Sequence, residues 1–464
     1  MEKEYNIIGN MTGNSMDAID LVLINFKGDI MTCKSSYSRP FPKEFIKRME
    51  TFRREKAGNK TREEIEAIPE FRSLHNEYIQ QVAECINEMC RVNHIDKSTV
   101  DAIGFHGKTL DHNPPKTAKQ NGTQPYTLQI GSGQMLADMT GIRVIYDFRS
   151  APLMAGFEGA PLMPPHDAHI HEKEGDGCYY NGGNTSNFSW VVDGKIPENA
   201  YGDAGPFNEY VDNFIRIKKK GVFDKDGQYG LKGTLNEELL RKVFDLCRDY
   251  YERPLTKSND PNNYETKKVF EIIEKDKVPF NDAVRTLEYA SAYVAVHALT
   301  LTPKGIKLPP SVVLFGGGWK NKVTRSFFEG LLKGEGYVMP EHRKAFDNFL
   351  KRFDKPISVR YSDLGEYREA ELFADLARYK LENKEWEIPE IESARNAARR
   401  KAEKEGVVLK KDAGIKKVVC GVIAEPKKGR KVYTDCINLA AKGWQKREQN
   451  LQCLKLRNNA RQKG

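Results

Sequence analysis

Three short segments of small and polar residues adjoin apolar runs, and their residue types suit phosphate binding. The first is the loop Gly13-Asn14-Ser15-Met16-Asp17, the second is Asp203-Ala204-Gly205-Pro206, and the third is Gly316-Gly317-Gly318, which continues to Asn321. Backbone N–H groups in such turns and at helix N-termini bind anions, and carboxylates beside them bind Mg²⁺. Taken alone, the first two segments are better explained as a hairpin turn and a helix cap, and the third equally well as a tight strand-to-helix turn. Together, and in this order, they predict a nucleotide cleft between two lobes.

The apolar segments around these loops fall into two similar series. Residues 5–9 predict a buried strand and 19–26 its antiparallel partner, and the same strand-loop-strand opening returns at 178–180 and 187–192. Further strands are predicted at 100–105, 142–148 and 312–315, and helices at 43–55, 62–92, 134–140, 235–248, 264–275, 282–300 and 366–381. The pattern predicts two α/β lobes that face each other. Residues 1–165, completed by 355–390, form lobe I, and 175–340 form lobe II.

Composition bounds the class of protein. The chain has 464 residues, of which 39% are hydrophobic and 30% charged, as in soluble proteins with more than one domain. We expect no membrane span, because there is no apolar run of 18 residues, and the N-terminus lacks a secretory pattern. The eight cysteines are scattered without a CxxC pair. Such usage favours a reducing compartment, so we expect a cytoplasmic protein.

The C-terminal part differs sharply from the rest in charge. Residues 393–464 contain 20 Lys/Arg and six Asp/Glu, so the preceding residues carry a net charge of about −5. This basic tail is predicted to be a separate and partly disordered extension, with a short strand within 418–423. Its one tryptophan, Trp444, and Tyr433 offer little base stacking. Binding of nucleic acid or of another acidic surface is therefore the less favoured interpretation of the tail.

Nine short blocks spread over residues 5–390 combine glycine with acidic and polar residues. They lie at residues 9–20, 105–109, 127–133, 147–162, 181–187, 203–208, 224–233, 316–321 and 369–374. In order and in type they resemble the blocks of the anhydro-N-acetylmuramic acid kinases, a family of the actin/sugar-kinase/Hsp70 superfamily. The resemblance implies two RNase H-like lobes with a nucleotide cleft between them, followed here by the basic C-terminal extension.

The resemblance also implies an activity and a set of site residues. It implies a kinase that uses ATP and Mg²⁺ to open a 1,6-anhydro-amino-sugar and phosphorylate it at C6, in the recycling of cell-wall sugars. The residues implied for ATP are Gly13, Asn14, Ser15, Met16, Asp17, Asp20, Asp203, Gly205, Gly316, Gly317, Gly318 and Asn321. Asp17 and Asp203 would face the metal ion, and His106, Arg149 and Gly159 would contact the sugar. A homodimer is a further partner arrangement that the resemblance allows.

The family's general base is the main departure. In the family pattern D-F-R-x-x-D the second aspartate is the base, whereas here Asp147-Phe148-Arg149 leads to Pro152 at that position. Proline cannot accept a proton. Glu158, which stands where the family has glutamine, is a candidate for a relocated base, and an ordinary loop glutamate is the alternative. Phe207 replaces a glycine of the second phosphate loop and is expected to add bulk there.

Three functions therefore remain open at the level of sequence. The first is an active kinase of the family, favoured by Asp17, Asp203, Arg149 and the three glycines at 316–318. The second is a pseudokinase that binds nucleotide or sugar without turnover, favoured by Pro152 and Phe207. The third is a kinase of another anhydro-sugar, such as levoglucosan. Losing one general base costs roughly 10²–10⁴ in rate, so the missing aspartate does not by itself exclude slow turnover.

Overall fold

The computed structural model describes residues 3–13, 16, 18–53, 55, 62–115, 118, 122–155, 157, 159–255, 257, 264–362, 365–386 and 418–427. Within these ranges the strands are β1 Glu4–Met11, β2 Ala18–Lys27, β3 Ile30–Pro40, β4 Ala102–Phe105, β5 Lys108–Asn113, β6 Tyr126–Ile130, β7 Val144–Tyr146, β8 Gly177–Gly182, β9 Thr185–Val191, β10 Tyr201–Pro206, β11 Ser311–Phe315, β12 Ser358–Tyr361 and β13 Val422–Ala424.

The helices of the same ranges are α1 Lys43–Phe52, α2 Arg62–Glu66, α3 Pro69–Val92, α4 Gly133–Thr140, α5 Ser150–Met154, α6 Met163–His169, α7 His171–Glu174, α8 Asn208–Ile217, α9 Glu237–Leu246, α10 Arg248–Tyr251, α11 Thr266–Lys275, α12 Phe280–Thr300, α13 Lys322–Leu332, α14 Pro340–Leu350 and α15 Arg368–Leu381. Short 3-10 turns lie at Lys97–Thr99, Lys225–Gly227, Gly230–Lys232 and Gly317–Lys320. No helix among the described residues has both the length and the apolar character to cross a membrane.

Two sheets of the same topology organise these elements. In the described part of the chain, one sheet has the order β13-β7-β4-β1-β2-β3 and the other β10-β9-β8-β11-β12, while β5 and β6 form a separate hairpin. In each sheet the first three strands run antiparallel and the next two join them in parallel. This 3-2-1-4-5 order is that of an RNase H-like lobe. The predicted fold of two such lobes is confirmed.

The chain crosses between the lobes twice. It leaves the first sheet, which we call lobe I, through α5, α6 and α7, and it enters the second sheet, lobe II, at β8. After β12 it returns to α15, which packs against β1, β2 and β4 of lobe I. One core fills each lobe, and a third, which includes α15 and residues of both sheets, lies between them. Helix α15 therefore belongs to the junction that shapes the cleft.

Two glycines let α15 approach lobe I closely. A Cβ atom at Gly9 of β1 would lie 1.9 Å from the Ala370 carbonyl oxygen, and one at Gly104 of β4 would lie 1.9 Å from that of Phe373. A side chain of any size at either position would push the helix away. The glycines thus fix the first turn of α15 beside the end of β1, where the first predicted phosphate loop begins.

Two sequence predictions differ from the structure in this lobe. Residues 62–92, predicted as one helix, form α2 and α3, because the residue before Pro69 is extended, with Ile68 at φ −71° and ψ 122°. The edge strand β3 has no counterpart among the predicted elements. Its residues alternate between exposed and half-buried rather than buried. An edge strand with few large apolar residues gives a weak period-two signal.

Part of the predicted basic tail belongs to lobe I. Strand β13 overlaps the strand predicted within 418–423 only at residues 422 and 423. It pairs antiparallel with β7 through Val422↔Tyr146 and Ala424↔Val144. Val418, Cys420 and Ala424 are buried. The Val418 carbonyl accepts a hydrogen bond from the backbone N–H of Trp386 at 3.2 Å. Residues 418–427 are therefore part of lobe I and not of the separate extension that the sequence predicts. The other residues from 387 onward lie outside the described part of the chain.

Removing this segment is expected to destabilise lobe I. A chain truncated after residue 417 loses the buried side chains of Val418, Cys420 and Ala424 and uncovers the edge of β7. We expect the free energy of unfolding to fall by about 2–4 kcal/mol in urea titrations. A chain truncated after residue 427 keeps the strand and serves as the control. Equal stability of the two truncated chains would contradict the contribution of β13.

Candidate active site

The three residues implied for the sugar come together at the end of β4. Arg149 donates from Nε to His106 Nε2 at 3.2 Å and from Nη1 to the Gly159 carbonyl at 2.8 Å. His106 Nδ1 lies 2.9 Å from the Gly107 carbonyl, which can only accept. His106 is therefore neutral, with its proton on Nδ1, and burial together with Arg149 lowers its pKa well below the usual value. The ring of Phe373, at 4.5 Å between centroids, supports it from α15.

Arg149 lies where the two lobes meet. Burial lowers the pKa of its guanidinium to about 10, and the carboxylates of Glu369 and Asp203 oppose that shift. Glu369 is in the first turn of α15, which packs on lobe I, and Asp203 is in β10 of lobe II. The arginine stays positive at neutral pH and interacts electrostatically with an acid from each lobe. The nucleotide cleft between the lobes stays a prediction.

Glu369 is the acidic residue of this cleft that suits proton transfer. Burial raises the pKa of its carboxyl to about 7, Asp20 raises it further, and Arg149 lowers it. A carboxyl group that titrates near neutral pH exchanges a proton readily, which is the property of a general base. From the sequence, Glu369 was included in the family-like block at 369–374 but was assigned no role. Its position in the first turn of a helix that also carries Ala370 and Ala374, small residues typical of close packing, was the available signal.

Pro152 occupies a buried position close to this cluster. It is the third residue of α5, where the absent N–H costs no helical hydrogen bond. Asp147 shapes the entry to this helix, since its Oδ1 accepts from the Ser150 hydroxyl at 2.6 Å and from the Ser150 N–H at 3.3 Å. At the position where the family pattern has its base, this chain therefore has a buried proline with a structural role. Glu158, the sequence candidate for the base, lies outside the described residues.

The first phosphate loop is described only in part. Asn14, Ser15 and Asp17 lie outside the described residues. Gly13 accepts the N–H of Met16 at 3.2 Å, and the Met16 side chain is buried in the core of lobe I. Met16 therefore anchors the loop, and only its backbone is available to a ligand. Asp20 of β2 accepts the hydroxyl of Ser38 at 2.7 Å and contributes its charge to the environment of Glu369.

The second phosphate loop has a different arrangement from the predicted one. Phe207 is 1% exposed, and its ring packs on Trp319 with 4.4 Å between centroids, so it does not project into the cleft. The N–H groups of residues 207–209, at the start of α8, donate to the carbonyls of Gly183 and Asn184 at 2.9–3.2 Å. Phosphate binding at this helix N-terminus therefore requires the loop at 183–184 to release those donors. Gly205 is packed against lobe II side chains, since a Cβ there would lie 2.9 Å from Tyr251.

The glycine segment after β11 combines close packing with one open position. A Cβ at Gly316 or Gly318 would collide with the backbone of Gly182, whereas a Cβ at Gly317 would meet nothing within 4 Å. Gly317 is thus the position at which the backbone is accessible to a ligand. Asn321 caps α13, with Oδ1 accepting from the N–H of Val323 at 2.9 Å. Its Nδ2 donates to Glu288, so its side chain is fully used within lobe II.

Glu288 predicts a specific pH dependence of stability. Its Oε1 accepts from Asn321 Nδ2 at 2.6 Å, and burial, aided by Asp224, raises the pKa of its carboxyl to about 8. Between about pH 4.5 and 8 the native state holds a proton that the unfolded state releases, so this contribution to stability is lost as pH rises through that window. Glu288→Gln mimics the protonated form. We expect the free energy of unfolding of the variant, relative to that of the native protein, to be on the order of 3 kcal/mol higher at pH 8 than at pH 5.

Urea titrations of both proteins at the two pH values measure this difference. Because the comparison is between two chains at each pH, the contributions of all other titrating groups cancel. Parallel pH dependences of the two proteins would contradict a protonated Glu288 in the native state.

Comparison with known proteins shows the family of this chain. The sequence profile of the family described as anhydro-N-acetylmuramic acid kinase matches residues 5–341. The chain belongs to this family. The family's kinase from Rhizobium etli is 27% identical over 347 residues, covering 74% of this chain and 87% of the relative. The kinase from Haemophilus influenzae is 27% identical over 410 residues, covering 86% and 97% of the two chains.

One matching solved structure shares little sequence with this chain. Component A of the (R)-2-hydroxyglutaryl-CoA dehydratase from Acidaminococcus fermentans aligns with 82% of this chain and 100% of its own, at 13% identity and a TM-score of 0.40. Similarity of this extent does not bear on function. Family membership is confirmed by the sequence profile, and the family is one of kinases that use ATP.

Proposed function

We propose that the protein is an ATP-dependent kinase that opens the anhydro bridge of 1,6-anhydro-N-acetylmuramic acid, or a close relative of that sugar, and phosphorylates the freed O6. Family membership supports the reaction class. The observation that carries the proposal is the hydrogen-bonded group of Arg149, His106 and Gly159, in which the charges of Glu369 and Asp203 act on the guanidinium. The carboxyl group of Glu369, whose pKa burial raises to about 7, adds a candidate for proton transfer to this group.

The proposed reaction assigns the missing aspartate's task to Glu369. Its carboxylate takes a proton from a water molecule as the water oxygen bonds to the anomeric carbon. The bond between that carbon and the bridging oxygen breaks, and the bridging oxygen stays on C6. It then attacks the γ-phosphorus of ATP, and ADP leaves. Positioning and charge stabilisation supply most of the catalysis of the phosphoryl step, so a displaced base is compatible with turnover.

Arg149 and His106 position the sugar in this proposal. The guanidinium is fixed by its bonds to His106 and to the Gly159 carbonyl, which leaves its charge available to oxygens of the substrate. Neutral His106, held by Gly107, orients the arginine and does not itself exchange a proton near neutral pH. The rigid pair defines one wall of the sugar site.

Asp20 and Asp203 fit a role in holding Mg²⁺ with ATP. Their carboxylate oxygens are the ligand type that Mg²⁺ prefers, and one comes from each lobe, Asp20 from β2 and Asp203 from β10. Bound there, the ion would neutralise charge that develops on the phosphates. We assign the nucleotide backbone contacts to Gly13 and Gly317, since Gly317 is open and Gly13 begins the loop between β1 and β2.

A turnover assay with matched variants tests this function. The native protein is incubated with Mg-ATP and the anhydro-sugar, and ADP release is compared with and without sugar. Sugar-dependent release by the native protein supports the proposal. Release that appears only in Pro152→Asp would show a pseudokinase on an intact scaffold and would overturn it. Release with levoglucosan but not with the amino sugar would reassign the substrate.

A further inference from the structure

A buried group of histidine and carboxylate side chains lies where the two interlobe crossings touch. His166 and His169 stand three residues apart on α6, in the first crossing, and so share one face of that helix. Asp375 faces them from α15, which follows the second crossing. His166 and Asp375 have fully buried side chains, and that of His169 is 22% exposed. None of these residues takes part in the proposed reaction.

The potential ligand atoms of the three side chains lie close together, because both histidines contact the same carboxylate oxygen. Nδ1 of His166 lies 3.0 Å from Asp375 Oδ2, and Nδ1 of His169 lies 2.7 Å from the same oxygen. All three ligand atoms lie within 4.8 Å of one another. Two imidazoles and one carboxylate form a ligand set typical of Zn²⁺ and other transition metal ions, and an unusual one for Mg²⁺.

Each of the three residues is held from its far side as well. His169 Nε2 lies 2.8 Å from the hydroxyl of Tyr379, and His166 Nε2 lies 3.4 Å from a carboxylate oxygen of Glu371. Asp375 Oδ1 accepts from Arg378 Nη2 at 3.0 Å. Such outer contacts fix the ring orientation and tautomer of metal-binding histidines and are a regular part of metal sites. The group therefore has oriented ligands and not merely neighbouring ones.

We propose that His166, His169 and Asp375 bind one divalent transition metal ion of the Zn²⁺ class, which joins the two crossings between the lobes. At metal–ligand bonds of about 2.0–2.1 Å in tetrahedral geometry, the ligand atoms would stand roughly 3.3 Å apart. The two distances between a histidine Nδ1 and Asp375 Oδ2 therefore have to lengthen by only a fraction of an ångström. The partial exposure of His169 leaves a side for entry and for a water molecule as fourth ligand.

The site would join the two crossings within the core that lies between the lobes. Helix α6 leads out of lobe I, and α15 brings the chain back to it, so an ion shared between them restrains the junction. Without an ion, Nδ1 of both histidines can form hydrogen bonds to Asp375. The junction can therefore fold before an ion binds. The ion is thus expected to add stability to a junction that is already formed.

Cobalt and zinc binding to the full chain tests the proposal. We expect one Co²⁺ per chain with the visible absorption of a four-coordinate nitrogen and oxygen site, and its displacement by Zn²⁺ but not by Mg²⁺. His169→Gln removes one ligand at the partly exposed side and should weaken Zn²⁺ affinity by at least about 100-fold. His171→Gln is the control. That histidine lies on α7 with Nδ1 2.8 Å from the Ala168 carbonyl, outside the group.

Thermal unfolding distinguishes metal binding by the His166, His169 and Asp375 group from a purely structural role of these residues. Zn²⁺ should raise the melting temperature of the native and His171→Gln proteins and leave that of His169→Gln unchanged. Absence of Co²⁺ absorption in the native protein would overturn the proposal and assign the group to an ion-pair junction. Equal metal affinity of native and His169→Gln would overturn it as well, because the ion would then be bound elsewhere.

Discussion

Glu369→Gln is expected to lower kcat for phosphorylation of the anhydro-sugar by about 10²–10⁴-fold, with little change in the affinity for ATP. Glutamine keeps the size of the side chain and its packing in the first turn of α15 but cannot take a proton from water. Glu366→Gln is the matched control, since Glu366 precedes the same helix, is exposed and pairs with Lys320. A loss of equal size in both variants would point to disturbance of the helix rather than to loss of a base.

If Glu369 is the general base, the activity of the native protein should increase with pH. The base must be deprotonated to act, and burial and Asp20 raise the pKa of Glu369 to about 7. The value of kcat/KM should therefore rise with pH and level off above a midpoint near 7. A midpoint near 4, typical of an unperturbed carboxyl, would argue that another acid serves as the base.

Arg149→Met should reduce kcat/KM by about 10²–10³-fold. The change removes the positive charge that interacts with Glu369 and Asp203, together with the hydrogen bonds to His106 and Gly159 at the proposed sugar site. Arg149→Lys keeps a charge but not the two-point geometry, and an intermediate loss is expected. The measurement is the steady-state rate at subsaturating sugar, with circular dichroism to verify folding.

A second consequence concerns Glu369 itself. Without the arginine, the influence that lowers its pKa is gone, so the midpoint of the pH profile should move to higher pH in Arg149→Met. Arg143→Met provides the control: Arg143 precedes β7 and pairs with Glu425 at 2.6 Å on the outer edge of lobe I. An unshifted midpoint in Arg149→Met would contradict the coupling between the arginine and the base.

Sequence patterns predicted the fold well where buried strands give a continuous run of apolar residues. Buried strands at 5–9, 19–26 and 312–315 are strongly apolar, and their glycine-rich ends mark where the chain turns toward the cleft. The repeated strand-loop-strand opening at residue 178 correctly predicted the second lobe, whose sheet repeats the strand order of the first. Strands β3 and β13 are short or half-exposed edges, so their sequences carry less of this signal.

The site was harder to predict because its residues meet only in three dimensions. His106 and Arg149 were recognised from linear blocks, and the structure joins them by a hydrogen bond. Glu369 lies 220 residues farther along the chain, and its raised pKa depends on burial and on Asp20, which no spacing reveals. Phe207 was expected to crowd the phosphate loop, yet its ring turns inward onto Trp319. Substitution patterns give a side chain's size but not its direction.

The most direct test of a working kinase with a displaced base is the isotopic composition of its product. The native protein is incubated with Mg-ATP and the anhydro-sugar in ¹⁸O-labelled water and quenched rapidly, and the products are analysed by mass spectrometry. We predict a 6-phosphosugar that carries one ¹⁸O from water, formed by the native protein and strongly reduced in Glu369→Gln. Absence of phosphosugar from the native protein, with its appearance in Pro152→Asp, would contradict the account.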